Sequence, residues 1–189
     1  MVLQDHAIRI FLVLLIRYVV LAGIPFLVFY TWKRKKWLYK KIQPWFPANK
    51  YLVREFFFSV ITFIVFTCVG YLIVRLHNSG HTLIYDKVSE HGVFYFILSI
   101  VLMIIMHDTY FYWTHRIMHL KLFFPTFHKI HHLSTNPTPW AAFSFHPLEA
   151  IVEAGILPVI VFLIPVHPAA IFIFLFFMTV NRNEKDNHR

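Results

Sequence analysis

The stretch HDTYFYWTHRIMHLKLFFPTFHKIHH, residues 107–132, holds six of the thirteen histidines of the chain and follows directly on an apolar run that begins near Val93. Within it, HRIMH sets His115 and His119 four residues apart, which on a helix places them one above the other on the same face. Two imidazoles one turn apart can converge on one ion. Pro125 interrupts the segment, and PTFHKIHH suits a fresh helix with proline in its first turn. On that helix His128, His131 and His132 fall at i, i+3 and i+4 and again share a face. Five histidines in 18 residues, at two helical spacings, point to metal ligation. Neutral imidazole is a ligand for iron, copper and zinc, and burying five of them without an ion would strand their polar atoms.

The surroundings say what kind of chain carries this cluster. Of 189 residues, 58% are hydrophobic and 19% aromatic, and 22 are Phe. Only 14% are charged, against about 25% in soluble proteins. This much apolar surface has to face acyl chains. Four apolar regions are long enough to matter: residues 8–30, 56–74, 93–112 and 151–180. A crossing of the hydrocarbon core needs roughly 20 residues. The fourth region is too long for one simple crossing, and LIPVHP, with Pro165 and Pro168 around His167, divides it. It reads as a membrane hairpin or a bent crossing. Arg17, inside the first region, is read as reaching an interface or the bundle interior. The expected fold is an all-α integral membrane bundle of about four membrane-crossing regions. Residues 113–149 form a histidine-bearing helical cap, and the polar residues 181–189 a disordered tail.

The formal charge of +9 has a local source. Lys33, Arg34, Lys35, Lys36, Lys40, Lys41, Lys50 and Arg54 fall in the loop between the first two apolar regions, interleaved with Trp32, Trp37 and Trp45. This is the pattern of a cytoplasmic loop at headgroup level, and it argues against nucleic acid as the partner. The loop from Arg75 to Gly92 carries only Arg75 and Lys87, so it lies outside. Threading forward, the third helix brings residues 107–149 back to the cytoplasmic face. Cys68 is the lone cysteine and sits in an apolar run, which excludes an intramolecular disulfide and a zinc–thiolate site.

Several residues near the cluster have two readings. His107 is two turns before His115 but rotated by about 80° at 3.6 residues per turn, so it is a further ligand or a neighbour. His146 in FHPLEA has the same alternatives. Asp108 and Glu149 either hold an imidazole N–H and fix its tautomer or are solvated helix-end charges. Trp140, Phe143 and Phe145, in the proline-stiffened loop STNPTPWAAFSF, either line a lipid channel or pack in the ordinary way.

HRIMH resembles the HxxxH box, and HKIHH the HxxHH box, of the fatty acid hydroxylase and sterol desaturase superfamily. HDTYFYWTHR and FHPLEA are similar to the flanks of those boxes in its sterol desaturase branch, and the resemblance covers roughly residues 93–180. It implies a membrane-embedded two-iron centre, with His115, His119, His128, His131 and His132 as ligands. It also implies O2 as co-substrate, a sterol, fatty acyl or similar lipid as substrate, and an external electron donor such as a cytochrome, ferredoxin or reductase. The pattern departs from the family in one respect. A third histidine box is expected after the last hairpin, and here FFMTVN is followed by RNEKDNHR, in which His188 makes no box. The alternatives are therefore a site holding a single metal in an inactive, truncated member of the family, and a haem-binding membrane electron carrier. The haem reading predicts isolated histidines deep in separate spanning helices.

Overall fold

The computed structural model describes residues 2–32, 47–134 and 136–187. The cationic run from Lys33 to Lys41, with Trp37 and Trp45, lies outside the described residues, as do His188 and the side chain of His131. Every regular element among the described residues is helical, and the one extended pairing is an isolated bridge between Ile84 and Val166. The all-α expectation holds.

Three helices are long and apolar enough to cross a membrane: His6–Trp32, Asn49–Asn78 and Gly92–Met118. The first is α1, Val2–Phe26, prolonged by a wide π turn over Leu27–Trp32. The widening follows Pro25, which has no N–H to return to the preceding turn. Helix α2, Asn49–Asn78, closes with the N–H of His81 on the carbonyl of Leu76 and that of Gly80 on His77, both 2.9 Å. Gly80 has φ +70°, the left-handed position such a helix end requires. Helix α3, Gly92–Met118, is 27 residues long. At 1.5 Å per residue that is about 40 Å, roughly 10 Å more than the hydrocarbon core.

This length corrects the expected boundaries. Residues 113–118 contain neither glycine nor proline, so the helix expected over 93–112 continues to Met118. The first histidine box thus rides on the end of a membrane-length helix rather than on a separate helix of a cap. The second box differs too. It occupies two single-turn helices, α4 over Phe124–Phe127 and α5 over Lys129–His132, with His128 at the joint (φ −122°, ψ −14°). The polar end is also different: α8, Pro168–Asn187, carries residues 181–187 as helix where a disordered tail was expected. That stretch contains no Pro or Gly to stop it.

The fourth apolar region is divided at residues 164–167, between α7 (Ile156–Leu163) and α8. A further break at Gly155 separates α7 from α6, Pro147–Ala154. The apolar part of α8, Pro168–Thr179, is shorter than a full crossing. Backbone hydrogen bonds tie α7 and the link to α8 to the α2–α3 connection: Leu83 N–H to Val161 O at 2.9 Å and Tyr85 N–H to Val166 O at 3.1 Å. His167 caps α8, with Nδ1 accepting from Ala169 N–H at 3.1 Å and Nε2 donating to the Asp86 carbonyl at 3.0 Å.

Two packed cores position the histidine end. One joins α3, α7 and α8 around Met103, Ile160, Val166, Ala170 and Phe174. The other joins α1, α2 and α6 around Tyr18, Ala22, Phe63, Phe143, Phe145 and Ala150. The second is built around a loop that enters between helices. A 3₁₀ turn, Pro139–Phe143, places the carbonyl of Trp140 against both helices. There it accepts from Tyr18 Oη at 2.7 Å and Ser59 Oγ at 3.1 Å. A buried carbonyl without donors costs about 1–3 kcal/mol, so these hydroxyls are what allow the loop to lie inside. Replacing Tyr18 by Phe or Ser59 by Ala alone leaves one donor and is expected to cost about 0.5–1.5 kcal/mol. The double substitution is expected to cost more than the sum of the two, as read by unfolding of the detergent-solubilised protein. Strict additivity would show that the two hydroxyls do not share this carbonyl.

Candidate metal centre

The last turn of α3 sets His115 and His119 with their Nε2 atoms 3.1 Å apart. Two nitrogens each about 2.1 Å from one ion stand about 3.0 Å apart at right angles and about 3.4 Å apart in a tetrahedron. The observed separation is an edge of such a polyhedron. His128 approaches from the α4–α5 joint, and one ligand atom from each of the three residues lies within 4.8 Å of the others. The ring of His128 is 4.6 Å from that of His115 and 4.8 Å from that of His119, centroid to centroid. His132 adds a fourth ring, 4.7 Å from His128 and 5.2 Å from His119. The kink at His128 separates the second box into a buried and an exposed part. His128 is 1% exposed, whereas His119 and His132 face outward. His131 lies on the backbone of α5, with its side chain outside the described residues.

Glu149, in the first turn of α6, reaches His128: its Oε1 accepts from Nδ1 at 2.7 Å, and both side chains are almost wholly buried. With the proton held at Nδ1, Nε2 presents its lone pair toward the other two imidazoles, which is the tautomer a metal requires. Helix α6 is in turn placed by α3. Tyr110 Oη donates to the carbonyl of Val152 at 2.8 Å. A Cβ on Gly155 would stand 2.6 Å from that hydroxyl, so only glycine allows the two helices to close to this distance. His146 is the N-cap of α6, its Nδ1 accepting from Leu148 N–H at 3.3 Å. That contact occupies one ring nitrogen and leaves it outside the convergent group.

His107 pairs with Asp108, Nδ1 to Oδ1 at 3.2 Å, and stacks on Phe111. Phe111 stacks in turn on His115 at 5.2 Å, so a phenyl ring stands between His107 and the cluster. Asp108 therefore serves His107 rather than a clustered imidazole. Trp140, Phe143 and Phe145 are committed to packing. Phe143 lies 5.4 Å from Phe63 and 6.1 Å from Tyr18, and Trp140 lies 5.3 Å from Tyr18. Phe143 and Phe145 are buried, which is the packing alternative of the two readings, in a loop held by the Trp140 carbonyl.

Two acids went unread in the sequence. Glu55 on α2 is fully buried and accepts from Thr138 Oγ1 at 2.7 Å, while Arg54 donates to Ser134 at 3.3 Å. Together they clasp the chain that follows the second box. Glu153 stands one turn beyond Glu149 on α6 and is half-buried. The i, i+4 spacing of Glu149 and Glu153 was the available signal. Although His119 faces outward, partial desolvation among its neighbours lowers its proton affinity, with the charge of His128 adding to it. His128 is lowered by burial against the opposing pull of Glu153, and His146 by burial alone. All three favour the neutral ring, the form that ligates.

Residues 100–188 match the Fatty acid hydroxylase family. Among characterised proteins, the chain is 36% identical over 97 residues to Delta(7)-sterol 5(6)-desaturase ERG3B of Gibberella zeae, covering 51% of this chain and 30% of that one. It is 28% identical over 140 residues to Delta(7)-sterol 5(6)-desaturase erg31 of Schizosaccharomyces pombe, covering 69% and 46%. Lathosterol oxidase of Homo sapiens is 29% identical over 126 residues, covering 66% and 42%. The matched part is thus less than half the length of each of these relatives. No solved structure matches the chain.

Gly155→Ala is expected to destabilise the protein by about 1–3 kcal/mol through overpacking. Adding Tyr110→Phe, which removes the hydroxyl that meets the new Cβ, should recover part of that loss; a double-mutant cycle on thermal unfolding reads it. The histidines set a second expectation. Their folded values are lowered, so the unfolded chain takes up protons first. Stability of the metal-free protein should therefore fall as pH drops below about 6.5, the ordinary histidine value. Unfolding midpoints recorded from pH 8 to 5 check the sign.

Proposed function

We propose that the chain is a member of the fatty acid hydroxylase superfamily, in its sterol desaturase-like branch, that it binds iron at His115, His119, His128 and His132, and that it takes part in O2-dependent oxidation of a lipid, a sterol before other lipids. His131, on the same box, belongs to the proposed ligand set. The observation that carries the reading is the convergence of three imidazoles with His128 locked in its ligating tautomer by Glu149. Donor type and spacing fit a divalent first-row metal, and imidazole suits iron.

Bound iron would supply the activation of O2, which is chemistry the cofactor carries and side chains lack. The residues of this chain orient the donors, keep them deprotonated and exclude water from part of the site. In a desaturation, two C–H bonds on adjacent carbons are broken, and the lipid gives up two electrons and two protons. O2 takes these with two further electrons and two protons and leaves as two waters. In a hydroxylation one oxygen enters the C–H bond and the other leaves as water. Both stoichiometries need two electrons from a separate donor such as a cytochrome, ferredoxin or reductase.

The placement of the cluster supports a lipid substrate. It sits where α3 outlasts the hydrocarbon core, so a lipid can arrive from the membrane and a reductant from water. The cationic sequence between α1 and α2 supports the cytoplasm as that aqueous side. Ring centroids 4.6–5.2 Å apart pack the imidazoles directly on one another, which speaks against a porphyrin between them.

Elemental analysis of protein purified in detergent after growth with iron tests the reading. About two irons per chain, with turnover of a Δ7-sterol in the presence of O2 and a reducing partner, is the expected result. One iron without turnover would favour the inactive, single-metal alternative, and none would sink the proposal. His128→Ala is expected to reduce bound iron at least tenfold, while His107→Ala, behind Phe111, should leave it unchanged.

A further inference from the structure

Past the first histidine box the chain turns apolar side chains outward. Leu120 is 54% exposed and Leu122 79%, in the turn that joins the end of that box to α4. The Leu120 carbonyl accepts from the N–H groups of both Phe123 and Phe124 at 2.9 Å. These bonds reverse the chain and put Leu122 near the tip of the turn. Singly exposed leucines are ordinary on a protein surface. These two stand directly beyond a helix of membrane length, and what precedes them fixes their depth.

Tyr112 and Trp113 are both exposed on α3. Arg116 joins them: its Nη1 donates to Tyr112 Oη at 3.1 Å, and its guanidinium lies 5.8 Å from the centre of the Trp113 ring. An exposed Tyr, Trp and Arg within one turn have the composition of a membrane–water boundary. Their position agrees. Tyr112 stands 20 residues after Gly92, where α3 begins, and at 1.5 Å per residue that is about 30 Å, one hydrocarbon thickness. Past Trp113 the helix runs five residues more to Met118. That is roughly 8 Å, against a headgroup layer of roughly 5–7 Å on each side. The chain reverses there instead of continuing into water. Its charge fits the same place: from Thr109 to Leu148 there is no acidic residue, and Arg116, Lys121 and Lys129 are all exposed.

We propose that the turn between the two histidine boxes seats on the bilayer itself. Leu120 and Leu122 enter the boundary between acyl chains and headgroups, and Arg116 and Lys121 take lipid phosphate. Apolar and basic side chains set side by side bind such a boundary, and the basic ones gain from an anionic leaflet. His119 directly precedes the turn, so seating it sets the depth at which the exposed side of the histidine cluster meets lipid. This rests on α3 as a membrane crossing and needs no bound metal.

The test uses the full chain with Cys68→Ser, reconstituted in phosphatidylcholine vesicles with and without phosphatidylserine. A nitroxide is placed at Leu122→Cys or Leu120→Cys. Val101→Cys, exposed in the apolar length of α3, is the hydrocarbon reference. Power saturation compares collisions with O2, which concentrates in the bilayer, and with a nickel chelate, which stays in water. At both leucine positions the ratio of O2 to nickel collisions is expected severalfold above that of the same nitroxide on free cysteine in buffer, and below that at Val101. Adding Lys121→Glu is expected to lower the ratio at Leu122, and more so in vesicles containing phosphatidylserine. Ratios equal to the buffer value at both positions overturn the proposal. Protection from both reagents also overturns it, because a second copy of the chain would then cover the turn. An unchanged ratio in Lys121→Glu overturns the phosphate contact. A Val101 label dominated by nickel collisions would overturn α3 as a crossing instead, so the two failures are distinct.

Discussion

The contact on which the histidine end depends is the 2.7 Å hydrogen bond between His128 Nδ1 and Glu149 Oε1. It draws a polar ring and a carboxylate out of water together, and neither would be stable there alone. The turn of the chain at His128, between α4 and α5, is where this contact is made. It coincides with the separation of the second histidine box into a buried and an exposed part. A helix running straight through residues 124–132 would keep all its histidines on one face but would leave Glu149 without this ring.

That contact has the required geometry only because α6 is held from several sides. Tyr110 and Gly155 set its distance from α3, the core around Phe143 and Ala150 packs it against α1 and α2, and His146 closes its first turn. The loop that joins the second box to α6 is itself anchored, at Thr138 by Glu55 and at the Trp140 carbonyl by Tyr18 and Ser59. Each anchor is a buried polar group whose partner lies more than 80 residues away in sequence. Ligating side chains are precise when rigid elements and their hydrogen-bonded neighbours hold them, and here that support comes from the first two membrane-length helices. They contribute none of the clustered imidazoles, yet they fix where the loop between the box and α6 can go.

What could be read directly from the sequence was whatever depends on local pattern. Apolar length identified the membrane helices, and the i, i+4 spacing of His115 and His119 placed them on one face. The prolines at 165 and 168 marked the break between α7 and α8. Legibility ended where a side chain's role is set by a distant partner. Nothing local in WTHRIM announces that α3 continues through it, except the absence of a breaker. Nothing in PTFHKIHH shows that His128 will be turned inward, because the cause lies 21 residues on, at Glu149. Phe143 and Phe145 looked like candidates for an open channel because aromatic residues serve both purposes. The hydroxyls of Tyr18 and Ser59, which decide the matter, sit in other helices. Gly155 shows nothing unusual in sequence, and only the approach of Tyr110 reveals why a side chain does not fit.

The same geometry bears on how such a site coexists with a membrane. Charged and polar groups are expensive in hydrocarbon, so a histidine cluster cannot simply be embedded at the bilayer centre. Here α3 is about one-third longer than a crossing needs, and His115 and His119 lie at its C-terminal end. The buried half of the cluster, His128 with Glu149, faces the protein, while His119 and His132 face outward. The apolar length of α3 leads up to the cluster from below, and Phe111 stacks directly beneath His115. A lipid chain rising along that helix would meet aromatic surface before it met imidazole. The ions and protons that the proposed chemistry needs would not have to cross the hydrocarbon at all. In the proposed chemistry, helix length rather than any residue of the cluster would keep the two approaches separate.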